Sequence, residues 1–468
     1  MKTPFNESSL ETRNGIKISV IAVCLSAAFA AAVFLKQPEQ HSQVAVIQDR
    51  PPTAAEILAA IPAPVGSSAS EKAEIEALAQ AKAKAGKAEV WVGLGDTLAQ
   101  RLRDSTDQTY YNFAESAYQQ ALRLQPDCVG AMNGMAWVEG GRHRFDESVE
   151  WARKALAITP QSADAYGILG DAALELGDYE AATDHYQRMM DLRPDLSSWS
   201  RGAYLLWLTG NQLQATQLME KAIRAGGAFA ENTAWCRAKL ATMLLSDGAF
   251  AAAAKALEPS LQVKSRNPHV LLAAARLATA TREYDVAAQY YQLMVEKTPN
   301  HDALVGLGDL HVIRGDTSKA ESYYMQVDEL HSAHLASGVH DHVQMAKFLA
   351  DHDRHPVAAL RLAEQHKLTR NVLEADVLAW VYFKNGDQPR AIEAMKRALS
   401  QHTPDPEMHY HAGMIAAAAG DLDSARSHLQ QAVAMNPQFH PILGPIAVRT
   451  LEKLSSRQET VDNTNINK

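Results

Sequence analysis

Residues 165–194, AYGILGDAALELGDYEAATDHYQRMMDLRP, decide the fold of this chain. Apolar positions recur with helical spacing and never alternate, so the stretch reads as two helices and no strand. Leu169-Gly170 places a small residue where the two helices cross closely. Gly177-Asp178 supplies the conformational freedom of a tight connection. Tyr179 and Ala182 open the second helix, Tyr186 and Met189 lie on its buried stripe, and Pro194 stops it.

The same pattern returns on both sides of this stretch. Pro126, Pro160 and Pro194 stand 34 and 34 residues apart and close the segments AYQQALRLQP, ARKALAITP and YQRMMDLRP. A small residue marks the second helix of each unit: Ala114, Ser148, Ala182, Ala215, Ala253, Ala287, Ala320, Ala358, Ala391 and Ala425. Their steps of 34, 34, 33, 38, 34, 33, 38, 33 and 34 give ten units of nearly constant period. Small residues at Ala136, Ala203, Ala241, Ala275, Gly308, Ala346, Ala379 and Gly413 match Gly170 in the first helices.

A 34-residue helix–turn–helix period resembles the tetratricopeptide repeat, over about residues 88–437. The resemblance implies an all-α, right-handed α-solenoid of about ten repeats. Extra residues before Ala114, and at Gly226–Asn232 and His331–Gly338, are expected to lengthen connections. RPDLSSWSRGAYLLWLTGN, ENTAWCR, FLADHD, ADVLAWVYFKNGD and HAGMIAAAAGD resemble segments of a group of largely uncharacterised bacterial membrane-anchored tetratricopeptide proteins.

The resemblance also implies a concave groove lined by the first helices, at positions 2, 5, 9 and 12 of each unit. These include Trp137, Tyr204, Trp207, Trp235, Arg276, Lys347, Trp380 and Tyr410, with Asp309, His340, Asp376 and Phe383 beside them. Aromatics there could anchor apolar side chains of a protein or peptide partner. Some relatives clamp a carboxylate terminus with Lys and Asn at positions 5 and 9. Here those places hold Gly167/Asp171, Ala238/Thr242 and Leu272/Arg276, so the clamp is missing.

The N-terminus reads as an address. Ile18–Leu35, ISVIAVCLSAAFAAAVFL, is uncharged and as a helix spans about 27 Å, close to a bilayer core. Lys2, Arg13 and Lys17 precede it, which places residues 1–17 in the cytoplasm and the rest outside it. Cleavage at Ala28-Phe29-Ala30 competes with retention, but the apolar run continues to Leu35 and favours a single-pass signal anchor. Residues 36–70 read as a flexible Pro/Ser linker in which TAAEILAAI can be helical. The solenoid is assigned to 71–437, a capping helix to 438–455 and a disordered tail to 456–468.

Composition narrows the function. Net charge is −9 with no basic stripe, which excludes a nucleic-acid binder. Three separated cysteines, Cys24, Cys128 and Cys236, exclude a CxxC metal or redox site and a disulfide framework. No phosphate loop, HExxH, nucleophile elbow or dinucleotide fingerprint occurs, so no enzyme and no cofactor are expected. Gly93-Leu94-Gly95 and Gly306-Leu307-Gly308 read as sites of close helix packing. Eight of eighteen histidines fall within 301–355, which raises a rival metal-binding reading. Its candidates are His331, His334, His352 and His355, while His340 and His342 would diverge on a helix. The expected function is a membrane-anchored, periplasmic scaffold that holds a protein partner in its groove, in assembly of a bacterial envelope complex.

Overall fold

The structure is a computed structural model. It describes residues 50–466 except 67, 106, 228–230, 297–298, 337 and 368, with side chains described through 456. The apolar stretch 18–35 lies outside the described residues. Among the described residues no helix is long and apolar enough to cross a membrane.

Twenty-three α-helices and no strand occur among the described residues. After α1 (Ala54–Ala60) and α2 (Ala69–Ala83) come ten antiparallel pairs. They are α3 (Ala88–Ser105) with α4 (Tyr110–Leu124), α5 (Val129–Gly141) with α6 (Phe145–Ile158), and α7 (Ala163–Glu175) with α8 (Tyr179–Leu192). Next are α9 (Leu196–Leu208) with α10 (Gln212–Ala225), α11 (Glu231–Ser246) with α12 (Phe250–Gln262), and α13 (Pro268–Ala280) with α14 (Tyr284–Val295). The last four pairs are α15 (His301–Ile313) with α16 (Thr317–Ala336), α17 (His342–Asp351) with α18 (Pro356–Ala363), α19 (Val372–Lys384) with α20 (Gln388–Ala398), and α21 (Pro406–Ala419) with α22 (Leu422–Met435). Helix α23 (Leu443–Ile466) packs on α22.

A Gly-Asp dipeptide builds several of the turns. Gly177, Gly386 and Gly420 take positive φ to end the first helix. The following Asp178, Asp387 and Asp421 accept the Ala181, Arg390 and Ser424 amides and cap the second. His143, Arg282 and Asp353 occupy the equivalent left-handed place in other units.

Nine of the ten marker residues are buried, from Ala114 at 0% exposure to Ala320 at 2%, so the period is the packing period. The exception corrects the register of the eighth unit, where Ala359 rather than Ala358 is buried. Two left-handed residues, Asp353 and His355, lengthen that turn by one position.

Three other expectations change. The extra residues extend helices more than connections: α3 has 18 residues, α11 has 16 and α16 has 20, where 13 or 14 are usual. The expected linker is docked from Ala54, because Ile57 and Ile61 are buried in one core with Tyr110 and Trp91. The last helix runs on to Ile466, through most of the stretch expected to be tail.

The units wind so tightly that one superhelical turn rests on the next. Gly177 lies against Arg370 and Asn371, Gly210 against His402, and Gly248 against Met435. At each rung a side chain from the later turn donates to a carbonyl at the end of an earlier first helix. Asn371 Nδ2 reaches Glu175 O at 3.1 Å, Thr403 Oγ1 reaches Leu208 O at 2.6 Å, and Asn436 Nδ2 reaches Leu245 O at 2.8 Å. The Tyr179 hydroxyl also accepts the Val372 amide at 2.9 Å. The last carbonyls of a helix lack intrahelical partners, and the segment six units later brings a donor to one of them at each rung, at Leu245 O beside the Gly248 amide that it also accepts. One apolar core accordingly spans both turns, joining Leu208 and Cys236 to Trp380, Met408 and Leu443.

Candidate functional site: an axial cavity

The first helices carry a recurring Leu-Gly-Asp: Leu94-Gly95-Asp96, Leu169-Gly170-Asp171 and Leu307-Gly308-Asp309. A Cβ at any of these glycines would overlap a tyrosine ring of the second helix, Tyr118, Tyr186 or Tyr324. Each of those tyrosines donates its hydroxyl to the adjacent aspartate, at 2.8, 2.8 and 2.7 Å. Glycine lets the ring in, and aspartate satisfies the hydroxyl that the ring buries.

Asp309 carries this motif to the superhelix axis. It faces a cavity of about 460 Å³ whose walls come from units four to eight, unit ten and the segment before α23. The wall includes Trp207, Arg276, Tyr291, Lys347, Glu407 and Phe439. His352 Nε2 pairs with Asp309 at 2.7 Å, and His440 Nε2 approaches it at 3.6 Å. Burial alone would raise the Asp309 carboxyl, but its bond to His352 and the charges of His440 and His352 outweigh that and hold it low. Reciprocally, burial disfavours the His352 cation, and Asp309 more than compensates, so its pKa is raised.

A second polar group lies in the same wall. Lys347 Nζ sits 2.5 Å from Asp351 Oδ2 and 2.7 Å from Glu407 Oε1. Burial disfavours this ammonium, yet the two carboxylates hold its pKa above the ordinary lysine value. Glu407 is lowered against its own burial, chiefly by Lys347. Behind it His411, fully buried, shares its Nδ1 with both oxygens of Asp376 at 3.0 Å and stacks on Trp380. Ligand atoms of Asp351, Glu407 and His411 lie within 4.8 Å of one another, spacing that could hold a metal ion. In this structure the Lys347 ammonium is the cation between the two carboxylates.

Of the residues expected in the groove, Trp207, Arg276 and Lys347 line the cavity. Trp380 and Tyr410 are 2% exposed and build the core, with ring centroids 5.6 Å apart. Tyr204 stacks on Trp207 at 6.1 Å, and Lys239 lies over the rings of Tyr204 and Trp235. Trp137 lines a separate cleft nearer the N-terminus with Asp96 and Arg201. The expected inner face is thus divided among the cavity, a second cleft and ring packing between adjoining units.

The candidate metal histidines do not converge. His331 and His334 each place Nδ1 on Asp341, at 2.6 and 2.7 Å, while His352 is held by Asp309 and His355 is exposed in the turn before α18. His340, His342 and His366 gather with His331 instead, through ring contacts of 5.3–6.4 Å. Cys236 is buried, and burial pushes its thiol up to about 12, which leaves it inert.

Glu175 ends α7 at the first rung and yields a pH prediction. Burial, then Glu374 and Asp171, push its carboxyl up from 4.5 to about 7. A raised carboxyl favours the fold while protonated, and this contribution disappears as pH rises from 4.5 through 7. Glu175→Gln should therefore stabilise the protein by about 2 kcal/mol at pH 8, after allowance for partial solvent contact. It should leave stability unchanged at pH 4, as urea denaturation at both pH values will show.

Comparison with known proteins agrees with the repeat. The family model described as tetratricopeptide repeat matches residues 111–163, 141–197, 239–302, 272–330 and 377–438, together more than half of the chain. The chain is similar to a protein CTR9 homolog of Arabidopsis thaliana, 27% identical over 256 residues. That match covers 52% of this chain and 22% of the relative, so the chain spans about a fifth of the relative's length. Similar solved structures include Pseudomonas aeruginosa pilF, at 20% identity and a TM-score of 0.28, covering 55% of this chain and 94% of that one. Yeast Tom70 is 12% identical with a TM-score of 0.35, covering 83% of this chain and 96% of its own. Cut9–Hcn1, an APC/C hetero-tetramer, is 12% identical with a TM-score of 0.37, covering 83% of this chain and 97% of its own. On the family match and its coincidence with the observed helix pairs, the chain belongs to the tetratricopeptide repeat family.

Proposed function

We propose that the protein is a non-enzymatic scaffold that holds a segment of a partner protein at the superhelix axis. One observation carries this reading: side chains from units four to eight and ten converge on a single cavity. Its walls combine aromatic rings with charged groups, the composition of a recognition surface. We also propose that residues 18–35 tether the solenoid to a membrane as a single-pass, N-in anchor. The solenoid would then work in the periplasm, in assembly of an envelope complex, a reading that rests on the resemblance of segments such as ADVLAWVYFKNGD to bacterial membrane-anchored proteins. The uncharged run and the basic residues before it support the anchor.

The test is a crosslinking pull-down from the native membrane fraction with the full chain and with Gln344→Trp. Gln344 is exposed on the cavity wall, so the larger ring fills the space without entering the core. A partner recovered by the intact chain and lost with Gln344→Trp is the expected result. Equal recovery by both baits would move the binding site to the outer face of the solenoid.

A further inference from the structure

We infer that the axial cavity takes a cationic group, the guanidinium or ammonium of a basic side chain, seated against Asp351. This inference rests on the scaffold reading and names the chemistry of what the scaffold holds.

The cavity wall carries an excess of acid. Five carboxylates, Asp302, Asp309, Asp351, Asp405 and Glu407, face two permanent cations, Arg276 and Lys347. Arg276 is committed to Asp302 at 3.0 Å, and Lys347 is shared between Asp351 and Glu407. His301 adds no charge to the wall near neutral pH, since burial lowers its pKa. His352 is bonded to Asp309 at 2.7 Å, where His440 also approaches at 3.6 Å, and His352 reaches Asp351 only through space. Asp405 spends Oδ1 on the Glu407 and Met408 amides at the start of α21. Burial and the neighbouring Glu407 and Asp376 push its carboxyl up to about 6, as expected of an acid with too little positive charge nearby.

An independent observation points to a missing partner. The Asp351 side chain is 5% exposed, and its Oδ1 is buried with no hydrogen-bond partner while Oδ2 takes Lys347. A buried carboxylate oxygen left without a donor is costly, and a donor entering from the cavity would satisfy it. Lys347 already shows that a cation is stable at this wall. Trp207, Tyr291 and Phe439 line the same space and add aromatic surface of the kind a guanidinium favours. A guanidinium fits better than a metal ion, because the carboxylates it would engage keep Lys347 between them and a compact ion would have to displace it.

The experiment titrates the full chain with argininamide and, separately, with citrullinamide, which has nearly the same shape without the guanidinium charge. Isothermal titration calorimetry at neutral pH is expected to show one equivalent of argininamide bound and no response to citrullinamide. Asp351→Asn should weaken argininamide by about tenfold or more. Gln344→Lys adds a positive charge at an exposed wall position without touching the buried pairs, and should weaken it by about tenfold. It therefore tests the inference even if Asp351→Asn folds poorly. Silence toward argininamide, equal binding of both amides, or affinity unmoved by Gln344→Lys would overturn the inference. So would stoichiometric Zn²⁺ binding by a chain that ignores argininamide. If argininamide is silent while Gln344→Trp still loses its partner, the cation inference falls and the scaffold reading stands.

Discussion

Gly177→Val is expected to separate the superhelical turns at their first rung, at a cost of about 3 kcal/mol or more. Two effects combine at this position. Gly177 has φ +71, where a β-branched residue is strained. Its missing Cβ also leaves the space taken by the backbone of Arg370 and Asn371, which cannot swing aside as a side chain can. Losing the rung would free the Val372 amide from Tyr179 and the Glu175 carbonyl from Asn371. Gly386→Val is the control, since Gly386 has φ +76 but nothing within 4 Å of the Cβ position. It should cost only the backbone strain, about 1–2 kcal/mol. Hydrogen exchange reads the difference directly: the Val372 amide should lose protection in Gly177→Val and keep it in Gly386→Val. Equal behaviour of the two variants would mean that the turns do not support each other.

Lys347→Met should destabilise the solenoid by about 3 kcal/mol, because removing one partner of a buried ion pair strands the charge it answered. Two carboxylates are stranded here, Asp351 at 5% side-chain exposure and Glu407 at 22%. Partial exposure of Lys347 itself keeps the figure at the low end of the range for buried pairs. The triple variant Lys347→Met/Asp351→Asn/Glu407→Gln removes charge from both sides and should recover most of the loss in urea denaturation. A single variant as stable as wild type would show that the cluster contributes little. A triple variant as unstable as the single would assign the loss to packing of the lysine stem.

Most of the fold was legible because each repeat is a local object. The crossing glycines, the Gly-Asp turns and the small marker residues act within about thirty residues, and helical periodicity exposes them. Where a turn took an additional left-handed residue, at Asp353 and His355, the period alone misplaced Ala359 by one position. The sequence spaces a tyrosine 15 residues after the aspartate at Asp171/Tyr186 and Asp309/Tyr324, but packing of the glycines alone does not reveal that the two side chains bond.

Contacts between turns were not legible. Asn371 with Glu175 and Thr403 with Leu208 are 196 and 195 residues apart, and small rotations accumulated over six units bring them together. No local pattern encodes that sum. Trp380 and Tyr410, assigned to an open groove by repeat position, are buried among Phe383, His411 and Phe439 of their own and the adjoining units. The cluster of Lys347, Asp351 and Glu407 joins units eight and ten, so its carboxylates could not be recognised as partners in advance.

The winding of the solenoid is the claim on which the cavity depends, and an electron–electron distance between spin labels at Glu180→Cys and Arg370→Cys tests it most directly. The side chains of Asp178 and Arg370 meet at 3.3 Å across the first rung. Labels that replace Arg370 and sit two residues from Asp178 lie across the same rung and should therefore give a single narrow distribution at the short end of the measurable range. A broad distribution at long distance would show an open superhelix, and the axial cavity would not exist in solution.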